Sequence, residues 1–308
     1  MSAAWVAATV RAKALLDRRV GPGAAARLAA QPSLTAALEE LADTSYRRFL
    51  SPDASPADAE RAVNKGVVWN LRVLGGWVPG SGVGVLRVLV ADLEIGNLAD
   101  RLRGIAGAEV PAPYRLGALA TCWDRAAAAT SAAALRAVLA ASAWGDPGTD
   151  DPSGLTEYLR LSAASRLAAI HPDSRSWGAA AAALTIARQR FLLGRPTGAP
   201  GAARARPLLG ARAVESADWD SFTAALPKVT AGWALAGLDG PQELWRGEQR
   251  WWSRVESDAA DLARSPRFQL EPVLGCAALL LADAHAVRGA LASAHRGGRL
   301  ARSGDVSR

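Results

Sequence analysis

A short helical pattern occurs three times in this chain, and it limits the possible folds more than any other feature of the sequence. Each copy is an amphipathic apolar run that ends on an aromatic residue, followed later by an Arg-bearing helix that stops at Gly. The closing glycines Gly104, Gly194 and Gly297 lie 90 and 103 residues apart, so the unit is roughly a hundred residues long. Three similar units indicate a pseudo-threefold shape, which is more typical of binding than of catalysis. The runs are 33–46, 131–144 and 220–233, and the closing helices are 92–104, 184–194 and 283–297.

The composition favours an all-α fold. Hydrophobic residues make up 50% of the 308, and Ala and Leu dominate them, which favours closely packed helices over sheet. The chain is long enough for three packed domains, and its Pro- and Gly-rich stretches mark the breaks between them. The predicted domains are 1–113, 114–206 and 207–308. Within them we predict uninterrupted helices over 83–102 and 116–129.

The net charge of +7 comes almost entirely from Arg, since Lys occurs only at Lys13, Lys65 and Lys228. A basic surface attracts nucleic acid, anionic lipid or an acidic protein. The simpler interpretation is the Ala- and Arg-rich composition of a GC-rich genome. Because the basic residues are spread along the whole chain without a DNA-binding motif, we do not predict nucleic-acid binding.

The two cysteines and the apolar runs indicate the compartment. Cys122 and Cys276 are isolated in the sequence, which is typical of a reduced, cytosolic protein. The longest uninterrupted apolar run, 273–282, is about half the ~20 residues that a membrane-spanning helix needs. The sequence therefore predicts a chain that does not itself span a membrane.

No residue pattern points to catalysis. The three histidines, His171, His285 and His295, lack metal-ligand spacing, and Asp150-Asp151 lies in a turn-rich break between prolines. A phosphate loop has a strand before its Gly-rich stretch and a Lys-Ser or Lys-Thr pair after it, and the Gly-rich stretch 75–82 has neither. We therefore expect a protein that is not an enzyme and has no catalytic residues, cofactor or metal.

Two other features have more than one interpretation. Glu94 and Asn97 are three residues apart on one helix face, and they form either a buried polar network between helices or an ordinary exposed pair. The adjacent Trp251 and Trp252 point to different helix faces, so at least one of them meets another element of this chain or a partner protein.

Five stretches carry a resemblance to a known family: 10–16, 38–46, 94–103, 185–188 before Gly194, and 271–275 with 286–288. Together they resemble the C-type central-stalk subunits of the bacterial and archaeal V/A-type ATPases, which are equivalent to the d-type subunits of the eukaryotic vacuolar enzyme. The leucine-rich helix 38–46 ends in Thr44-Ser45-Tyr46, as the family's Thr-x-Tyr helix does. The segment from Glu94 through Asn97-Leu98 to Arg101 is similar to the family's acidic-x-x-Asn-Leu helix with a following Arg. Ala187 and Val287 stand where the family's helix tends to carry Asn, and Ala282-Asp283 stands where it has a Lys-Glu pair.

The resemblance implies three similar helical-bundle domains arranged as a funnel around a pseudo-threefold axis. It implies a non-catalytic adaptor of the central stalk that links the rotor shaft to the membrane rotor ring. Such an adaptor transmits torque for ATP-coupled proton or sodium transport. Its partners would be the ring and the proteins of the central shaft, with the membrane stator as a further candidate. The protein would lie in the cytoplasm, peripheral on the inner face of the cell membrane as part of the complex.

Arg and Trp side chains are the candidate contacts with these partners, because the Arg guanidinium fork holds carboxylates and carbonyls in a defined orientation. The alternative for the Arg residues is that they cap helix C-termini and remain solvated. Two other functions stay open: an all-helical enzyme with an apolar cavity, and a diverged helical scaffold for other partners. The candidate interface residues are Arg101, Arg103, Arg188, Arg190, Arg288, Arg296, Trp251 and Trp252.

Overall fold

The computed structural model describes the backbone of residues 2–305 and the side chains of residues 2–297. The described residues are mostly helical and contain no β-strand, which confirms the predicted all-α class. They divide into two compact units. Unit 1 combines the chain up to Leu86 with the chain from Asp258 onward, and unit 2 is Arg87–Ser257. The three predicted domains 1–113, 114–206 and 207–308 do not coincide with these units, and the threefold division stays a prediction.

Unit 1 is built around the last helix of the chain. This long helix packs against four helices from the N-terminal segment. Its first half is almost entirely buried, including Val273, Leu274 and Ala277. The helices are α1 (Ala3–Leu16), α2 (Gly21–Ala29), α3 (Leu34–Leu41), α4 (Pro56–Gly75), most of α5 (Gly80–Leu89), the end of α14 (Leu244–Arg264) and α15 (Leu270–Asp305).

Gly275 lets α15 approach the end of α14 closely. A Cβ at this position would lie within 3.0 Å of backbone atoms of Ala259 and Ala263. Such a distance is not tolerated by real side chains, and backbone atoms cannot turn away as a side chain does. The contact between these two helices therefore requires glycine at this position.

Unit 2 contains two hydrophobic clusters that meet at the antiparallel pair α9 (Pro152–Ile170) and α10 (Ser174–Ala187). One cluster joins α9 to α6, α7 and α8, and includes Leu98, Leu139 and Leu155. The other joins α9 and α10 to the helices that follow, and includes Leu161 and Phe222. The remaining helices are α6 (Ala91–Ile105), α7 (Trp123–Ala126), α8 (Ala132–Ala140), α11 (Ala199–Leu209), α12 (Ala211–Glu215) and α13 (Trp219–Ala225).

Two helix predictions were wrong. The helix predicted over 83–102 is broken at Val90, so that α5 and α6 are separate helices. The helix predicted over 116–129 is a 3-10 turn (Gly117–Leu119) followed by the single-turn helix α7. In this second case a tertiary contact replaces the helical bonds, because the N–H groups of 121–123 donate to the Glu94 carboxylate.

Candidate functional site

Glu94 is a fully buried carboxylate in the first turn of α6. It accepts hydrogen bonds from the backbone N–H groups of Thr121 (2.8 and 2.9 Å), Cys122 (2.7 Å) and Trp123 (2.9 Å). These donors lie at the start of α7, where the free N–H groups carry partial positive charge. A buried carboxylate is costly unless it is paired in this way. Glu94 therefore holds the start of α7 against α6.

Asn97 and Arg101 continue the same face of α6. The Asn97 amide donates to the Tyr114 carbonyl at 2.9 Å and accepts from the Tyr114 N–H at 2.8 Å. The Arg101 guanidinium donates to the Ala129 carbonyl through Nε (2.9 Å) and Nη2 (2.6 Å). Together with Glu94, these residues fasten one helix to three points along the segment that follows it.

A buried carboxylate in unit 1 has a similar role. Asp283 of α15 accepts hydrogen bonds from the N–H groups of Val20 (3.2 Å) and Gly21 (2.7 Å) at the start of α2. It also accepts the Tyr46 hydroxyl at 3.2 Å. Burial, and next the negative charge of Asp283, raise the pKa of Tyr46 well above its ordinary value. Five residues along α15, Arg288 donates to the Asn64 side chain of α4 at 2.8 Å.

A third fastening lies where α10 runs into a π-helical turn, Arg188–Leu192. Arg190 in this turn donates to the carbonyls of Val214 (2.8 Å) and Ser216. Ala183 occupies the position seven residues before Arg190, as Glu94 does before Arg101. This third contact therefore has the guanidinium of Arg190 but no carboxylate at the position that Glu94 has on α6.

The first two apolar runs end in matching turns 98 residues apart. Thr44 donates to the Leu41 carbonyl at 2.7 Å and accepts the N–H of Tyr46 at 3.3 Å. Ser142 makes the corresponding bonds, to the Leu139 carbonyl at 2.8 Å and from the N–H of Trp144 at 3.1 Å. Both aromatic residues are buried. The repeat that was inferred from residue type is therefore also present in hydrogen-bond geometry for these two copies.

The predicted interface arginines fall into two groups. Arg101, Arg190 and Arg288 are partly buried and bond to groups within their own unit, as described above. The others are more accessible or ion-paired at the surface: Arg103 with Asp100, Arg188 with Glu248, and the exposed Arg296. Their role in partner binding stays a prediction.

Trp251 and Trp252 are both half-buried. The Trp251 indole N–H donates to the Trp177 carbonyl at 2.8 Å. The rings of Trp251 and Trp252 are arranged edge to face, with their centres 4.8 Å apart. Trp251 is thus used at least partly within unit 2. Trp245, six residues before Trp251 on α14, is 54% exposed and is the more accessible indole.

A cleft of about 520 Å³ opens in unit 1 between the end of α1, the turn after α3 and one face of α4. Arg18, Arg19 and Arg48 line it together with Asp17 and Asp43. The Arg48 guanidinium lies 4.2 Å from the centre of the Trp69 ring, a cation–π contact. No sequence pattern marked this group beforehand, because its members are far apart along the chain and match no motif.

Potential metal ligands and thiols among the described side chains are the groups that bear on metal and covalent chemistry. No group of three or more His, Cys, Asp or Glu that could hold a metal ion occurs among them. Burial raises the pKa of Cys122 to about 12 and that of Cys276 to about 11, so both thiols are protonated and poorly nucleophilic at neutral pH.

One helical stretch in the described part of the chain, Leu270–Gly297, is long and apolar enough to cross a membrane, with a mean hydropathy of 1.5. This stretch is the first part of α15, and 67% of its apolar window is buried inside the protein. Core helices of proteins that span no membrane share both properties. Length and composition alone therefore do not assign it to a bilayer.

No protein-family model matches this chain, and neither does any curated protein.

Proposed function

We propose that this protein is a non-catalytic adaptor of a V/A-type rotary ATPase, which links the rotor shaft to the membrane rotor ring and transmits torque during proton or sodium transport. The proposal combines the resemblance of five stretches to the C-type central-stalk family with the order of the buried polar contacts. In this proposal, three helical domains form a funnel around a pseudo-threefold axis, on the cytoplasmic side of the membrane.

One observation supports the proposal most: each closing helix bonds to the start of the next repeat. The closing helix α6 holds residues 114–129 of the second predicted domain. The π-helical end of α10 holds Val214 and Ser216 of the third. The last helix, α15, holds Val20, Gly21 and Tyr46 of the first. A linear array of repeats would leave its two ends apart. A last-to-first contact is what a closed ring of three requires.

A closed ring also suits the proposed task. A torque adaptor needs stiffness and a broad contact surface more than reactive groups. Buried carboxylates and guanidiniums that bond to backbone groups resist relative rotation of the helices they join, because each such bond has a preferred direction. In the proposed ring, the contact at Asp283 joins the last domain to the first, and the proposal is therefore most sensitive to this contact.

The test is co-purification from the native host. A tagged, full-length protein is expected to bring down a membrane rotor ring and a coiled-coil shaft, identified by mass spectrometry. Asp283→Ala, which removes the ring-closing acceptor, should reduce the recovery of both. Asp53→Ala, at an exposed position of the same unit, should not. If the wild-type protein brings down neither component under conditions that preserve the complex, the proposal is wrong.

Charge reversal at surface arginines is a second test of the proposal. Arg103→Glu and Arg296→Glu reverse charges at exposed positions and should weaken assembly while leaving the helical circular-dichroism signal unchanged. Arg101→Glu is expected instead to lose stability, since its guanidinium bonds to the Ala129 carbonyl. Undiminished assembly of the Arg103 and Arg296 variants would remove these two residues from the interface.

A further inference from the structure

The cleft in unit 1 has the size and lining of a small-ligand site. Its volume of about 520 Å³ falls within the range of roughly 300–1,000 Å³ found for such sites. Its walls come from three separate stretches: the turn after α1, the turn after α3, and α4. Aromatic and aliphatic side chains, including Phe49 and Trp69, form part of the lining. A ligand here would contact all three stretches at once.

The charges of the cleft favour an anion. Arg18, Arg19 and Arg48 all line it, and none of them forms an ion pair with a described residue. This distinguishes them from Arg188, which is paired with Glu248. Three guanidiniums against the two carboxylates of Asp17 and Asp43 leave the cleft with a net charge of +1, and guanidiniums without an ion-pair partner can donate to an anionic ligand. The guanidinium fork matches phosphate oxygens particularly well.

Arg48 is held in place before any ligand arrives. Its guanidinium lies 4.2 Å from the centre of the Trp69 ring and 5.8 Å from that of Phe49. Stacking restricts the side chain and leaves the N–H groups at the edge of the plane able to donate. Less side-chain entropy is then lost when an anion binds.

The remaining polar groups indicate what the anion is attached to. Asp17 and Asp43 also line the cleft, and a carboxylate accepts hydrogen bonds from ligand hydroxyl groups. Ser45 adds a hydroxyl that donates or accepts. We infer that the cleft binds a phosphate monoester of a hydroxylated compound, with the phosphate at the arginines and the hydroxyls at the carboxylates. The same chemistry occurs in a free sugar phosphate and in the headgroup of a phosphoinositide lipid.

This inference goes beyond the proposed function and does not depend on it. Its residues adjoin those held by Asp283, since Val20 lines the cleft and Tyr46 follows Ser45. A bound ligand would join the turn after α1 to the turn after α3 from the outside, as Asp283 joins them from within. Binding should therefore protect the backbone amides of 43–49 from hydrogen exchange.

The test measures binding by the full-length protein at about 0.15 M salt, where long-range surface attraction is largely screened. The free probes are glucose 6-phosphate and inorganic phosphate, followed by calorimetry and hydrogen exchange. The membrane probes are phosphatidylcholine vesicles with and without phosphatidylinositol 4-phosphate. The cleft variant carries three Arg→Gln changes, and the control variant carries three Arg→Gln changes at exposed positions of unit 2. The cleft changes are at Arg18, Arg19 and Arg48, and the control changes are at Arg160, Arg175 and Arg212.

We expect glucose 6-phosphate to bind more tightly than inorganic phosphate and to protect 43–49. We expect the cleft variant to lose about tenfold or more in affinity, while the control variant binds as the wild type does. Binding to the lipid vesicles as well identifies a headgroup as a source of the ligand, and binding to the free ester alone identifies a soluble compound. The inference is wrong if neither glucose 6-phosphate nor the phosphoinositide vesicles bind, or if the cleft and control variants weaken binding equally. Co-purification of the rotor ring and the shaft with the cleft variant is a separate experiment, which tests the proposed function and not the binding of the phosphate ester.

Discussion

Replacing Glu94 gives the sharpest test of how the helices of unit 2 are held together. Its carboxylate is completely buried and satisfies three backbone N–H groups, those of Thr121, Cys122 and Trp123. Glu94→Ala would leave all three donors without their acceptor. A buried donor without a partner costs about 1–3 kcal/mol. Partial relaxation or entry of water offsets part of the sum, so we expect a loss of about 4 kcal/mol in the free energy of unfolding.

Glu94→Gln separates the charge from the shape. The amide oxygen can still accept from the same N–H groups, but the bonds are no longer charge-assisted and the amide NH2 faces a donor where the second oxygen had accepted. We expect a loss of about 2 kcal/mol, between the wild type and Glu94→Ala. Asp124→Ala is the matched control: Asp124 is also acidic and lies in the first turn of α7, but it is exposed, so its loss should stay within about 0.5 kcal/mol.

The assay is urea unfolding at neutral pH followed by tryptophan fluorescence. Most of the 11 tryptophans lie in unit 2, so the signal reports mainly on the unit that contains Glu94. Hydrogen exchange at 121–126 shows whether the destabilisation is local. A Glu94→Ala variant within about 1 kcal/mol of the Asp124→Ala control would refute the reasoning, because the three hydrogen bonds would then contribute almost nothing.

Three other perturbations test the packing and titration of unit 1. Gly275→Ala places a methyl group against the backbone of α14 and should lower the free energy of unfolding by about 1–3 kcal/mol. Gly289→Ala, on the same helix with open space around it, should raise the free energy of unfolding by about 0.5–1 kcal/mol. Thermal unfolding compares the two variants, and equal effects would contradict the close contact. The pKa of Tyr46 is raised in the folded protein, so this tyrosine ionises first in the unfolded chain and the wild type should lose stability as pH rises above about 10. Tyr46→Phe should remove this part of the dependence of stability on pH. The measurement is the urea midpoint at a series of pH values from neutral to alkaline. Burial, and next the charge of Arg288, lower the pKa of His285 to about 4. The stability that neutral His285 provides is therefore present above about pH 6.5 and is lost as the pH falls toward 4. His285→Gln should flatten the acid limb of the same measurement, and an unchanged slope would count against this burial.

Local sequence chemistry accounts for much of what is observed. The Ala- and Leu-rich periodicity predicts an all-α protein, and Ser33 and Ser131 cap α3 and α8 with their hydroxyls as N-cap residues do. The spacing of Glu94 and Asn97 predicts that they share one face of a helix. Whether that face is buried was left open by the sequence, because the spacing is the same in either case.

The partners of the buried polar residues depend on the tertiary fold. Asp283 and Val20 are 263 residues apart, and the only sequence signal for Asp283 was its place where the family that the sequence resembles carries a Lys-Glu pair. Arg101 and Arg190 were candidates for contacts with another protein, and in the structure they bond to carbonyls 28 and 24 residues away. A guanidinium offers the same donors to either target, so its identity does not specify the acceptor.

The sequence by itself therefore determined the helical class, the helix caps and the repeated pattern, because helices form through hydrogen bonds and apolar spacing between residues at most a few positions apart. Only the tertiary structure decided that Glu94 interrupts the helix predicted over 116–129, that Asp283 bonds to the start of α2, and that three arginines line one cleft. These outcomes depend on which distant backbone groups reach a buried charge, and that choice is made by the packing of the whole chain.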